Sequence, residues 1–255
     1  MDPATVTLPL ASVETTLLAA VRIIAFLVVA PPFAQRAIPG TVKVALGTGL
    51  ALAVTPRLPQ VEADSTATFV GDLVLQALVG AATGFLVYLV FAAVQSAGSL
   101  VDLFGGFQIA AAFDPMSMTN GAQFSRLYQM LATALLFASD GYQLVVTGLV
   151  RTFDALPVGV MFSTATYGRT AAEGLTDMFV GALQIAGPLL VVLFLADVGL
   201  GLLTRVSPAL NAFALGFPLK ILLTLTLSGF ALLALPAVVS ALSDDVARDV
   251  PAVLR

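Results

Sequence analysis

Apolar residues gather in four long stretches, Thr15 to Val29, Leu73 to Val94, Met178 to Ala196 and Ile221 to Leu242. Each approaches the roughly 20 residues a helix needs to cross a hydrocarbon core. Within them Arg22 is the only ionisable residue. Three weaker runs, Val42 to Val54, Leu103 to Phe113, and Leu127 to Val150 with Asp140-Gly141 inside it, are too short or too broken to assign as spans. Turn-forming residues punctuate the chain at Pro31-Pro32, Pro39-Gly40, Pro56 to Asp64, Gly105-Gly106, Asp114 to Gly121, Pro157 to Gly174 and Pro208. This pattern predicts an all-α integral membrane protein of helical hairpins. No Ser/Gly linker, low-complexity tract or long charge block divides it, so residues 1–255 read as a single domain, with residues 178–242 as a C-terminal hairpin.

Composition agrees with that pattern: 59% of the residues are hydrophobic and 10% charged, against about 25% charged in soluble domains. The mean hydropathy is +1.02. The chain is therefore a polytopic membrane protein in contact with lipid. It has no histidine and no cysteine, which removes the usual ligands for zinc, iron–sulfur clusters and haem, so no cofactor or metal is expected. Its eleven Lys and Arg residues are scattered and form no basic stripe, so nucleic acid is not an expected partner. The N-terminus, MDPATVTLPLASVE, begins acidic and lacks the basic n-region of a cleavable signal. We expect it to lead into the first helix.

Polar groups inside the apolar runs carry the candidate chemistry. Arg22, Gln76, Gln95, Gln129, Gln143 and Gln184 bring hydrogen-bond donors that lipid tails cannot satisfy, so the helices are expected to bury them together. Glu14 precedes Arg22 by eight residues, about 12 Å along a helix, which places the arginine's partner on another helix or another chain. Such residues form either a polar seam between subunits or along a conduit, or the parts of helices that lie outside the bilayer. LADVGLGLLTRVSPALNAFALGFPLK (195–220) concentrates Asp197, Arg205, Asn211 and Lys220 in sequence that otherwise resembles a span. An ionisable group there costs roughly 2.5–3.5 kcal/mol on insertion scales unless protein or water meets it. A functional cluster and an inter-helix loop with Pro208 and Pro218 both suit the stretch. A direct Asp197–Arg205 bond needs a bend at Gly199 to Gly201, so a partner on another chain is expected. Small residues at helical spacing, Gly80 with Gly84 and Ala92 with Ser96, predict close helix approach.

Ala97 to Gln123, AGSLVDLFGGFQIAAAFDPMSMTNGAQ, is unlike a span. Gly105-Gly106 ends a helix, and Asp114-Pro115 opens a turn-rich segment. Phe104, Phe107, Phe113, Met116 and Met118 make it bulky and apolar. Such a loop can fill a cavity or close a pore, where thioethers adapt to irregular gaps, or it can be a re-entrant loop that only packs.

These segments resemble the FliR/SctT family of export-gate subunits of bacterial type III secretion systems. The similarity runs in order through VVAPPFAQRAIPGTVKVALG, GFLVYLVFAAVQSAGSLVDLFGGFQIAAAFDP, LFASDGYQLVVTGLVRTFDALPVG and the 195–220 stretch, whose LGFPLK points to the flagellar branch rather than the injectisome branch. One position departs: Ala209 follows Pro208 where the family tends to carry Gln. The resemblance implies a non-enzymatic channel subunit in the bacterial inner membrane and flagellar basal body, joined helically to the P-type and Q-type gate subunits FliP and FliQ. The switch protein FlhB and FlhA stand alongside, and unfolded rod, hook and filament subunits pass through. It also implies a plug in the closed channel, mapping onto Gly105, Gly106, Phe107, Phe113, Asp114, Pro115, Met116 and Met118. Arg22, Asp197, Arg205, Asn211 and Lys220 would be polar contacts of the assembly. Family structures place many such helices above the bilayer, packed on other subunits.

Arg36 and Lys43 lie between the first two apolar runs without an acidic neighbour, which assigns that loop to the inside and the N-terminus to the periplasm. A small-molecule carrier or ion channel is the competing class, with Asp197, Arg205 and Lys220 along a substrate path. It predicts inverted repeats, and no correspondence between halves is visible. An intramembrane enzyme is the third, but the chain has no nucleophile elbow, His-Glu-x-x-His or cysteine.

Overall fold

The computed structural model describes residues 9–35, 37–107, 123–160, 164–207 and 215–229. Every regular element among them is helical: α1 Leu10–Val29, α2 Gly40–Val54, a 3-10 turn Thr55–Arg57, α3 Thr66–Phe104, α4 Gln123–Ala138, α5 Gly141–Ala155, α6 Thr164–Val206 and α7 Leu215–Gly229. Prolines Pro9 and Pro39 stand immediately before α1 and α2, where the missing N–H costs nothing and the fixed φ suits a helix start. Asp140 takes a left-handed φ of 56° at the break between α4 and α5. The weak 127–150 run is therefore two helices. Among the described residues three helices, α1, α3 and α6, are long and apolar enough to cross a membrane.

Two of the sequence expectations change. Pro157 to Gly174 reads as an interruption, yet α6 begins at Thr164 and continues through Gly168 and Gly174. Glycine lowers helix propensity by about 1 kcal/mol, which the 43-residue helix absorbs; Pro188 also lies inside it. The second change concerns the glutamines. Gln76 is fully buried, whereas Gln129, Gln143 and Gln184 are exposed on the isolated chain.

The described residues cluster into two compact units, one within Met1–Leu89 and Tyr142–Gly174, the other within Val90–Gly141 and Leu175–Leu242. In the first, α1 packs on α2 and on the N-terminal part of α3. Gly80 and Gly84 make the second approach possible. A Cβ on Gly80 would collide with the Arg22 carbonyl oxygen, and one on Gly84 would stand 3.0–3.3 Å from Val29, Phe26 and Ala30. In lipid, where tails are as apolar as leucine, such backbone proximity and interhelical hydrogen bonds hold helices together better than burial alone. Leu18, Ile23, Phe26, Val79, Leu149 and Phe153 fill the interior.

In the second unit α4 buries Phe124, Tyr128, Ala132 and Leu136, a strict four-residue repeat that defines one face. A Cβ on Gly181 of α6 would lie 3.6 Å from Ala93 of α3. Only 33% of the most apolar window of α6 is buried, against 61% for α3. Phe179, Leu183, Phe194, Leu195, Leu202 and Val206 leave a long apolar face on α6 for lipid or protein to cover.

Candidate functional site

Arg22 anchors the first unit. Its side chain is fully buried in the middle of α1. Nε donates to Gln76 Oε1 of α3 at 2.6 Å, and Nη1 donates to the carbonyls of Thr152 at 3.2 Å and Leu156 at 2.9 Å. Both carbonyls close the C-terminal end of α5. The helix dipole leaves partial negative charge there, so the arginine caps a helix 130 residues away in sequence. The guanidinium also stands 4.3 Å over the Phe153 ring, a cation–π arrangement strengthened by desolvation. Among the described residues no carboxylate pairs with it; Glu14 instead accepts the Ala63 amide at 3.0 Å. One side chain thus ties three helices together.

The base of the glycine-bounded loop belongs to the second unit. Asp102 near the end of α3 is completely buried, and its two carboxylate oxygens accept the backbone N–H groups of Phe124 and Ser125 at 2.9 and 3.0 Å. Those amides are in the first turn of α4, which has no intrahelical acceptors for them. A carboxylate also suits the positive end of a helix. Gly98, one turn earlier, admits this contact: a Cβ there would fall 2.6 Å from Ser125 Cα and 2.7 Å from the Phe124 oxygen. Gly106 has φ +83°, and Gly105 fits against Thr224 of α7 with no room for a side chain. Phe107 meets Phe124 edge-on with centroids 5.1 Å apart.

Farther along this unit, Lys220 of α7 pairs with Asp197 of α6 at 2.7 Å, their side chains 23% and 45% exposed. Asp197 thus finds its partner within the chain, where an inter-chain partner was expected. Arg205 is exposed near the end of α6, and among the described residues it has no ionic or hydrogen-bonding partner. As expected without a bend at Gly199 to Gly201, through which α6 continues as helix, Asp197 and Arg205 form no direct bond. Asn211 and the loop positions Phe113, Asp114, Pro115, Met116 and Met118 lie outside the described residues. Asp102 and Gly98 were missed by sequence reasoning. The available signal was a carboxylate in apolar sequence three residues before a Gly-Gly break. No group of three or more acidic, histidine or cysteine side chains gathers among the described residues in a way that could hold a metal ion.

Comparison with known proteins places this geometry. The family model for bacterial export proteins, family 1, matches residues 13–246. The chain is similar to the flagellar biosynthetic protein FliR of Escherichia coli K12, 34% identical over 209 residues covering 81% of this chain and 79% of the relative. It is similar to FliR of Bacillus subtilis 168, 33% identical over 80% of this chain and 81% of the relative. FliR of Aquifex aeolicus VF5 is 27% identical over 90% and 88%. With one family spanning both compact units and relatives at a third identity along most of their length, the chain belongs to the FliR family of bacterial export proteins.

Proposed function

We propose that this chain is a structural, non-enzymatic subunit of the protein-export gate of the bacterial flagellum, sited in the inner membrane at the basal body. It joins P-type and Q-type subunits, FlhB and FlhA in forming a conduit for unfolded rod, hook and filament subunits. The observation that carries this reading is the family match over residues 13–246, together with relatives named for flagellar biosynthesis. The architecture suits a wall rather than a carrier. Its buried polar groups, Arg22 with Gln76 and Asp102 with two amides, join helices to one another, and α6 keeps a long apolar face uncovered. A clean deletion should abolish secretion of hook protein and leave cells without external filaments, with both restored by the gene in trans. Immunoblotting of culture supernatants and electron microscopy read the result. Normal filaments on the deletion strain would refute the proposal.

The segment from Gly105 to Gln123 is the proposed plug, as the family resemblance implies. Support comes from its described base, where Gly105, Gly106 and Phe107 are seated against α7 and α4. Replacing Phe113, Met116 and Met118 with Ser should leave the gate assembled yet permeable to ions, measured as membrane conductance. Unchanged conductance in an assembled gate would leave the segment a packing role only.

A further inference from the structure

The first unit carries two outward faces of opposite character. On α2 the exposed side chains include Val42, Val44, Leu46 and Leu52. On α5 the exposed positions are Gln143, Leu144, Thr147, Arg151 and Asp154, all polar but Leu144. At 3.6 residues per turn the polar ones fall within about 80° of arc, opposite the buried side chains of Val145, Leu149 and Thr152. The two helices also flank α1 on opposite sides. Gly47 of α2 sits against Ile24, whereas the Arg22 side chain reaches the Thr152 and Leu156 carbonyls at the end of α5. Side chains two positions apart leave a helix about 200° apart. The same bonds fix the depth of α5. Arg22 lies about 10 Å or more from either end of α1, a helix long and apolar enough to cross a bilayer. Arg151 and Asp154 flank Thr152, so they stand level with the middle of α1 on the outward side of α5. Hydrocarbon cannot solvate an exposed guanidinium and carboxylate at that level, whereas it suits the apolar face of α2.

We propose that the stripe of Gln143, Thr147, Arg151 and Asp154 on α5 borders the water-filled path that exported polypeptide takes, with α2 turned away from that path. This assignment deepens the export reading and rests on it. Ionisable side chains at such depth ordinarily face a water-filled cavity or the interior of a bundle. One cation, one anion and two neutral groups also give this wall no net charge with which to hold a passing segment.

The cysteine-free chain receives one cysteine at a time, as Thr147→Cys, Arg151→Cys and Asp154→Cys on α5 and Val44→Cys and Leu52→Cys on α2, each tagged and expressed from the native locus. Isolated membranes are treated with N-ethylmaleimide, which attacks the thiolate and so reports water at the thiol. The treatment is repeated with an export substrate arrested in the gate by a fused, stably folded domain. The α5 cysteines should react about tenfold faster than those on α2, and arrest should slow them severalfold. Equal rates on the two faces overturn the proposal. So does α5 labelling that arrest leaves unchanged, since the stripe then meets water outside the conduit. Mass spectrometry of the purified chain shows separately whether the arrested substrate accompanies it. Its absence defeats the export reading and this assignment with it, while its presence beside unprotected α5 cysteines defeats this assignment alone. Should one α5 variant fail to accumulate, the other two still decide.

Discussion

Arg22 and Asp102 illustrate how a charge survives inside an apolar helix: each is spent on the end of another helix. Arg22 meets the C-terminal carbonyls of α5 and Asp102 the N-terminal amides of α4, so each charge faces the dipole end of opposite sign. Arg22→Met should cost about 2–4 kcal/mol, because Gln76 Oε1 and the Leu156 carbonyl lose a charged donor. Adding Gln76→Leu should recover part of that loss by removing one stranded polar group. Denaturation of the purified chain checks both, and a single variant as stable as the wild type would contradict the account. Asp197 and Lys220 differ. Their side chains are 45% and 23% exposed, so the 3–5 kcal/mol typical of breaking a buried pair shrinks to about 1 kcal/mol or less for the chain alone. Asp197→Ala should melt like the wild type when purified alone and yet reduce recovery of the assembled complex if a partner covers this pair. Wild-type recovery would show a solvated surface pair. At this scale the sequence exposed Arg22 as a residue needing a partner on another element, but not which one. Its acceptors at 152 and 156 are backbone carbonyls, and backbone acceptors leave no mark in side-chain chemistry.

Among the elements, backbone approach is the controlling quantity. Gly→Ala inside a helix ordinarily gains up to about 1 kcal/mol. At Gly80 the sign should reverse, with a loss of about 1–3 kcal/mol, because the new Cβ overlaps the Arg22 carbonyl of α1. Gly71→Ala on the same helix has nothing within 4 Å and serves as control. Thermal melts of the two variants separate packing from propensity, and equal behaviour would remove the α1–α3 contact from the account. Hydropathy located α1, α3 and α6 because a long apolar run has one common structural outcome. It misplaced the start of α6, since Gly168 and Gly174 look like breakers in sequence, yet the helix runs through both. It also left α2, α4 and α5 unassigned, being of 15 or 16 residues and below the length at which apolarity alone is diagnostic. Asp102 stayed hidden because its partners, the Phe124 and Ser125 amides, lie beyond the glycine-bounded loop.

For the whole molecule, helix length bears on placement. At 1.5 Å per residue, α3 with 39 residues and α6 with 43 extend about 58 and 65 Å, roughly twice a hydrocarbon core. Some of the apolar surface of α6 therefore needs a cover other than lipid. The absence of cysteine makes the native chain a ready background for single-cysteine labelling. At exposed positions Leu175, Leu183, Phe194 and Leu202, cysteine substitutions should include some that a membrane-impermeant maleimide reaches when the chain is expressed alone, and these should become protected when the partner subunits are co-expressed. Unaltered labelling with partners present would leave the face unpartnered. The central claim is that the chain is a wall subunit built to stand among other gate subunits. It is tested most directly by affinity purification of the tagged chain from its native locus in mild detergent, with mass spectrometry of what accompanies it. The account predicts P-type and Q-type export subunits at a fixed ratio; a stable, monodisperse chain that purifies alone would contradict it.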